Sequence, residues 1–131
     1  MKGFQNRQVE VTICGGGNGT HASAAVISRL KDFKVNVLTR RPAEWNKNLV
    51  GITKGSSWEG RGNYIANLHK VTSDPAELAS TDIWIISGPA QIHYGLLKKI
   101  SPFVKSNSFV GTLFAQGGFE WMCREVFGDR L

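Results

Sequence analysis

The 131-residue sequence predicts an α/β fold with three layers, in which helices cover both faces of a mostly parallel sheet. Two observations support this prediction. Apolar, β-rich runs alternate along the chain with segments whose apolar residues recur at helical spacing. One of these runs, Ile83 to Ile86, is apolar throughout, which is typical of a parallel strand covered on both faces.

The first half of the chain gives the clearest elements. Val9 to Ile13 alternates with polar residues and predicts a first strand, and the segment from Asn18 to Leu30 carries one apolar helical stripe. Val35 to Leu38 predicts a second strand. Residues 51–63 hold four glycines among polar residues, so we expect a loop or a hairpin there.

The second half continues the alternation. Val71-Thr72 predicts a brief third strand, and Asp74-Pro75 resembles an N-cap followed by proline at the first position of a helix. Ile83 to Ile86 is then the fourth strand. The remaining predicted elements are a helix over Ile92 to Ile100, a strand over Phe109 to Phe114 and a helix over Phe119 to Val126.

Length and composition indicate one globular domain over residues 1–131. Hydrophobic residues make up 41% and charged residues 20%, which are ordinary values for such a domain. No apolar run approaches the roughly 20 residues of a membrane helix, so we expect no membrane contact. Residues 1–8 lack the apolar segment of a secretory signal, and we therefore expect a cytoplasmic location.

The net charge of +6 raises the question of a nucleic-acid partner. The 16 lysines and arginines are scattered, and the tightest groups, Arg40-Arg41 and Lys98-Lys99, are only pairs. We therefore expect no nucleic-acid binding. Cys14 and Cys123 are expected to be reduced packing residues, and their spacing predicts no metal site.

A glycine-rich turn connects the first predicted strand to the first predicted helix. Dinucleotides carry two phosphates, and a helix N-terminus offers unpaired N–H groups and a positive dipole end to such anions. In the segment from Cys14 to Ala22, Gly15 permits a tight turn and Gly17 lets the backbone approach a pyrophosphate. The turn predicts a Rossmann-like dinucleotide site whose candidate contacts are Gly15, Gly16, Gly17, Asn18, Gly19 and Thr20.

The G-x-G-x-x-G pattern has two possible frames here. Starting at Gly15, its third position falls on Thr20, where a smaller residue is usual. Starting at Gly17, the pattern reads Gly17-x-Gly19-x-x-Ala22, but its first glycine lies two residues past the end of the apolar strand. We prefer the first frame because its glycine directly follows the strand.

The end of the second strand bears on the choice of cofactor. An acid there would bond the ribose 2′-hydroxyl of NAD, whereas arginine would accept the 2′-phosphate of NADP. The chain reads Thr39-Arg40-Arg41, with no acid before Glu44. Guanidinium groups match phosphate oxygens, so we predict NADP, with NAD as the second choice.

The motifs resemble those of the opine dehydrogenase family, which includes octopine and nopaline dehydrogenases. Cys14 to Ala22 is similar to the family's G-x-G-N-G-x-H-A loop. Ser87-Gly88-Pro89-Ala90 with His93 resembles its P-A-x-x-H segment, and Gln116 to Phe119 resembles its glycine-rich turn after the fifth strand. The likeness extends over most of the chain, and the first loop is its most specific part.

The resemblance implies an oxidoreductase that reduces, with NADH or NADPH, the imine formed from a 2-oxo acid and an amino acid. It adds Ser87, Gly88 and Pro89 to the expected cofactor contacts and suggests His93 and Gln116 on the substrate side. The family also has a second, helical domain with the catalytic histidine. We expect this chain to lack that domain and to bind cofactor without turnover.

Two other functions remain open on the sequence alone. The same loop would serve a non-catalytic nucleotide-binding or regulatory module, which would differ from an enzyme by the absence of turnover. It would also suit FAD or a sugar nucleotide.

Overall fold

The computed structural model describes residues 7–52, 63–114 and 117–131. The strands of this part of the chain are β1 (Val9–Cys14), β2 (Phe33–Leu38), β3 (Asn48–Ile52), β4 (Asn63–Asn67), β5 (Lys70–Thr72), β6 (Ile83–Ile86) and β7 (Phe109–Thr112). The α-helices are α1 (Asn18–Ser28), α2 (His93–Ile100) and α3 (Phe119–Phe127).

Five strands form a parallel sheet in the order β5-β2-β1-β6-β7. Consecutive side chains of β6 point to opposite faces, and both faces are covered. Ile83 and Ile85 join an apolar cluster that includes Ala24 of α1, whereas Trp84 and Ile86 join a cluster that includes Leu97 of α2. The predicted three-layer fold is therefore confirmed.

The strand order reverses beside β1. The chain passes from β1 through α1 to β2 on one side, and it reaches β6 on the other side only later. Helices that follow the two neighbouring strands therefore lie on opposite faces, and a crevice opens between them at the carboxyl ends of β1 and β6. Ligands of open α/β sheets bind at such a switch point.

The connection between β2 and β5 differs from the predicted alternation of strand and helix. It contains no α-helix among its described residues; instead, β3 and β4 pair antiparallel as a separate two-stranded sheet that packs on α1. The hairpin alternative for residues 51–63 is thus correct at its two ends, while residues 53–62 lie outside the described part. The prediction that strands and helices alternate throughout was wrong here, because a β-hairpin packed on α1 stands between β2 and β5 in place of a helix.

Smaller differences occur at element ends. The chain after Asp74 forms a 3₁₀ turn over Pro75–Leu78, and the Asp74 carboxylate accepts from the Ala76 N–H (3.0 Å), as an N-cap does. β7 ends at Thr112, two residues before the predicted end. Within the described residues, no helix is both long and apolar enough to cross a membrane.

Candidate functional site

The glycine-rich turn lies at the carboxyl end of the central strand. The Gly15 N–H donates to the Leu38 carbonyl of β2, and the Ser87 N–H donates to the Cys14 carbonyl, each over 2.9 Å. These bonds tie the ends of β1, β2 and β6 together around the turn. The glycines are therefore held by three strands of the sheet.

The N-terminus of α1 is left open toward solvent. Gly17 is the N-cap residue and supplies no side-chain acceptor, and the first turn contains no acidic residue. Helix geometry leaves the first amides without partners inside the helix. The positive end of the helix dipole is consequently uncompensated by the protein's own side chains, which suits an anionic ligand.

Two glycines of the turn have different steric roles. Gly15 has φ +150°, and a Cβ there would lie 2.3 Å from the Ser87 carbonyl oxygen and 2.4 Å from Thr20 Oγ1. A Cβ at Gly17 would meet no atom within 4 Å. Gly15 is therefore required for packing, whereas Gly17 keeps space open above the helix N-terminus.

The contact between Thr20 and Gly15 explains why the G-x-G-x-x-G pattern has a threonine at its third glycine position. Its side chain is buried directly over Gly15, so the missing side chain at Gly15 makes room for a threonine where the pattern has a smaller residue. The Thr20 hydroxyl finds no hydrogen-bond partner among the described residues. A buried hydroxyl without a partner is costly, and this one borders the crevice.

The end of β2 forms one wall of the site. Thr39 is buried, and its Oγ1 lies 3.1 Å from where a Cβ of Gly16 would stand. Arg40 and Arg41 follow with exposed side chains. The Arg41 guanidinium lies 3.5 Å from the Glu44 carboxylate. Two cations and one anion thus stand just beyond the glycine turn.

A ring stack fixes this wall to α1. The 3₁₀ turn Pro42–Glu44 leads into Trp45, whose indole lies parallel to the His21 imidazole with 3.7 Å between ring centroids. His21 Nδ1 is 2.9 Å from the Gly17 carbonyl oxygen. The residues after β2 are therefore anchored to the helix that starts at the glycine turn.

The end of β6 forms the opposite wall. Gly88 has φ +149°, and a Cβ there would lie 2.7 Å from Ile92 Cδ1. His93 is fully buried, and its Nε2–H donates to the Gly88 carbonyl (3.0 Å) because a carbonyl only accepts. Its ring meets Phe119 edge-on. His93 thus supports the Ser87–Pro89 turn from beneath.

The two walls enclose a cavity of about 1120 Å³. Its floor is the glycine turn. Ile92, just before α2, lines the cavity together with Leu96 and Lys99 of α2, and the three recur at helical spacing. Phe114 adds an aromatic ring. The cavity therefore combines backbone amides and cations with an apolar side, as expected of a site for a ligand with both phosphates and rings.

The structure gathers the predicted nucleotide contacts in this cavity. All twelve predicted residues line it: Gly15, Gly16, Gly17, Asn18, Gly19, Thr20, Thr39, Arg40, Arg41, Ser87, Gly88 and Pro89. His93 is not among the lining residues, since its ring is buried below Gly88. Gln116 lies outside the described residues.

Nine further lining residues of the described part were not predicted as site residues: Leu38, Glu44, Trp45, Gln91, Ile92, Gly95, Leu96, Lys99 and Phe114. The helical spacing of Ile92, Leu96 and Lys99 was the signal in the sequence that could have identified Leu96 and Lys99. Glu44 ends the 3₁₀ turn Pro42–Glu44 and Trp45 follows it, and a local pattern does not define the direction of that turn. Their positions depend on the contact between Trp45 and His21.

Cys14 ends the central strand just below the turn. Burial raises the pKa of its thiol well above the ordinary value, although the charge of Lys99 acts in the opposite direction. Because the thiolate is the reactive form, Cys14 is a packing residue and not a nucleophile. Burial, together with the nearby Glu120, also raises the pKa of Cys123.

No protein-family profile matches the chain. It is 30% identical over 130 residues to octopine dehydrogenase of Pecten maximus, covering 93% of this chain and 33% of that protein. Opine dehydrogenase of Haliotis discus hannai is 27% identical over 135 residues, with 95% and 33% covered. A solved octopine dehydrogenase with NADH and L-arginine superposes with a TM-score of 0.79 at 27% identity, covering 94% of this chain and 32% of that one.

Proposed function

Because the chain is a homologue of the N-terminal domain of opine dehydrogenases, we propose that residues 1–131 form a dinucleotide-binding domain that holds NADP(H). The reaction it would serve is hydride transfer to the imine of a 2-oxo acid and an amino acid. The chain spans about one third of the length of the relatives it matches. Bound NADPH would supply the hydride, and the residues described above would bind and orient the nucleotide.

The open N-terminus of α1 at the switch point carries this proposal. Gly17 leaves space above the first-turn amides, and the Thr20 hydroxyl beside them lacks a partner. The cavity of about 1120 Å³ has room for an extended dinucleotide. These features fit a pyrophosphate at the turn, with one half of the nucleotide extending toward Arg40 and the other toward Ser87.

The cations after β2 support NADP over NAD. Arg40 and Arg41 are exposed at the rim, and neither is buried in an ion pair that would have to be broken. Guanidinium groups bind a phosphate through charge-assisted hydrogen bonds. We therefore expect the 2′-phosphate of NADPH to lie against Arg40 and Arg41, with Thr39 beside them.

Direct titration tests the cofactor. We expect NADPH fluorescence to change saturably on binding to the chain, with NADH binding about tenfold more weakly. Arg40→Gln and Arg41→Gln should each weaken NADPH binding about tenfold and change NADH binding less than twofold. Arg124→Gln, which removes an exposed cation from α3, is the control. Failure of both nucleotides to bind would refute the proposed function, and equal affinities would refute the preference.

Gly17→Ala tests the role of the open space. The added methyl group meets no protein atom within 4 Å, so we expect the midpoint of thermal unfolding to stay nearly unchanged. The same methyl group stands where a pyrophosphate must approach the amides, and both nucleotides should bind at least about tenfold more weakly. Gly111→Ala in β7, another uncrowded glycine, should leave binding intact. Undiminished binding by Gly17→Ala would place the pyrophosphate elsewhere.

A turnover assay tests whether this chain alone is catalytically sufficient. We expect the 131-residue chain, given NADPH, pyruvate and L-arginine, to show no oxidation of the nucleotide. Glu44, the one acidic residue among the described lining residues, stands beside Arg41 on the wall opposite Ser87 and not near the proposed site of hydride transfer. Oxidation that depends on both substrates would show that the chain is catalytically sufficient. Binding without turnover is consistent with a cofactor domain and equally with a regulatory module.

A further inference from the structure

The cavity rim contains a carboxylate beside the cations proposed to bind the 2′-phosphate. Glu44 is the one acidic residue among the described residues that line the cavity, whereas Arg40, Arg41 and Lys99 are cationic. The Glu44 carboxylate lies 3.5 Å from Arg41 Nη1. The guanidinium group that would bind the 2′-phosphate therefore already has an anionic side chain next to it.

The backbone at Glu44 is held in place by its surroundings. The Glu44 N–H donates to the Arg41 carbonyl and the Trp45 N–H to the Pro42 carbonyl, each over 3.1 Å, which closes the 3₁₀ turn. The stack of Trp45 on His21 then anchors the turn to α1. The backbone that carries Glu44 is therefore anchored at the rim of the cavity.

The ion pair itself is weak and easily opened. Arg41 and Glu44 are 76% and 66% exposed, and the 3.5 Å separation is long for a charge-assisted hydrogen bond. Arg41 is thus free to turn toward a ligand. Glu44 would remain beside it and repel a 2′-phosphate, whereas it would accept a hydrogen bond from the 2′-hydroxyl of NADH.

We propose that Glu44 is a specificity-determining residue that reduces the discrimination between NADPH and NADH. This inference rests on the proposed function, in which Arg40 and Arg41 receive the 2′-phosphate. Glu44 competes for Arg41 in the free protein and opposes the phosphate in the complex. The same carboxylate favours the unphosphorylated ribose, so the chain accepts both nucleotides with a smaller preference than its two arginines alone would give.

Glu44→Gln tests this role, with Glu120→Gln as a matched control. Glu120 pairs with Arg124 on α3 and is 74% exposed, so both substitutions remove one carboxylate from an exposed pair and raise the net charge equally. We expect Glu44→Gln to tighten NADPH binding about three- to tenfold and to leave NADH binding unchanged or weaker. Glu120→Gln should alter both affinities by the same small factor.

The outcomes separate this inference from the proposed function. If the unsubstituted chain binds NADPH and Glu44→Gln leaves the NADPH-to-NADH affinity ratio equal to that of Glu120→Gln, Glu44 has no such role and the nucleotide site stands. A fall in that ratio would also overturn the inference. If neither nucleotide binds the unsubstituted chain, the proposed function itself fails. Thermal unfolding of both variants should match that of the unsubstituted chain.

Discussion

Gly15→Ala is expected to lower the free energy of unfolding by about 3 kcal/mol and the unfolding midpoint by about 10 °C. Two causes add together. The backbone at Gly15 has φ +150°, which side chains rarely adopt, and the new Cβ would stand 2.3 Å from the Ser87 carbonyl oxygen. Ser87 directly follows β6, and Gly15 directly follows β1. Any shift that relieves the clash therefore moves the ends of these two strands apart.

Thermal denaturation and nucleotide titration of the same variant measure both consequences. Gly111→Ala is the control for stability, since a Cβ in that strand meets no atom within 4 Å. Gly17→Ala is the complementary variant, in which binding is lost and stability is kept. If Gly15→Ala unfolded at the temperature of the unsubstituted chain, the described contact between the two strand ends would be incorrect.

The central part of the fold was predictable because its signals are local. The strand before Gly15 and the helix after Asn18 are each defined by fewer than fifteen neighbouring residues. The carboxyl ends of parallel strands meet at one edge, so the residues following β1, β2 and β6 had to come together there. That rule, together with the family resemblance at Ser87, Gly88 and Pro89, explains why the twelve residues predicted to contact a nucleotide all line one cavity.

The hairpin and the rim of the site depend on contacts between distant residues. β3 and β4 begin or end at asparagines and pair across a long connection, and neither has a strong apolar alternation of its own. Trp45 meets His21 only after the chain has passed through β2. The buried position of His93 likewise depends on Phe119 from a later helix. Local patterns do not contain such pairings.

Asp82 is the clearest case of a long-range contact, and it gives the second large prediction. It precedes β6 at the end of the sheet opposite the cavity, and its carboxylate is fully buried. Arg7 donates to both of its oxygens (2.7 and 2.9 Å), Lys105 donates to Oδ1 (2.8 Å), and the Glu10 N–H donates to Oδ2 (2.8 Å). One carboxylate thus ties the segment at the start of β1 and the Lys105 loop to the start of β6.

Asp82→Asn should lower the free energy of unfolding at pH 7 by about 3 kcal/mol. The amide keeps the shape of the carboxylate, but its NH₂ group would face groups that are themselves hydrogen-bond donors. The neutral side chain also no longer balances the positive charges of Arg7 and Lys105. Urea denaturation measures the loss, and Glu120→Gln, which breaks an ion pair whose members are about three quarters exposed, should change stability by less than about 1 kcal/mol. Equal losses for the two variants would contradict the buried role of Asp82.

The pH dependence provides an independent test of the same carboxylate. Burial acts to raise the pKa of Asp82, but the hydrogen bonds from Arg7 and Lys105 outweigh it and hold that pKa well below the ordinary value of 3.8. A pKa that is lower in the folded state stabilises the fold fully above about pH 5, and this contribution declines as the pH falls through 4 toward the folded-state pKa. The gap in stability between the unsubstituted chain and Asp82→Asn should therefore be constant from pH 5 to 7 and narrow below pH 4. A gap that stayed constant down to pH 3 would mean that the effect of the substitution comes from shape and not from charge.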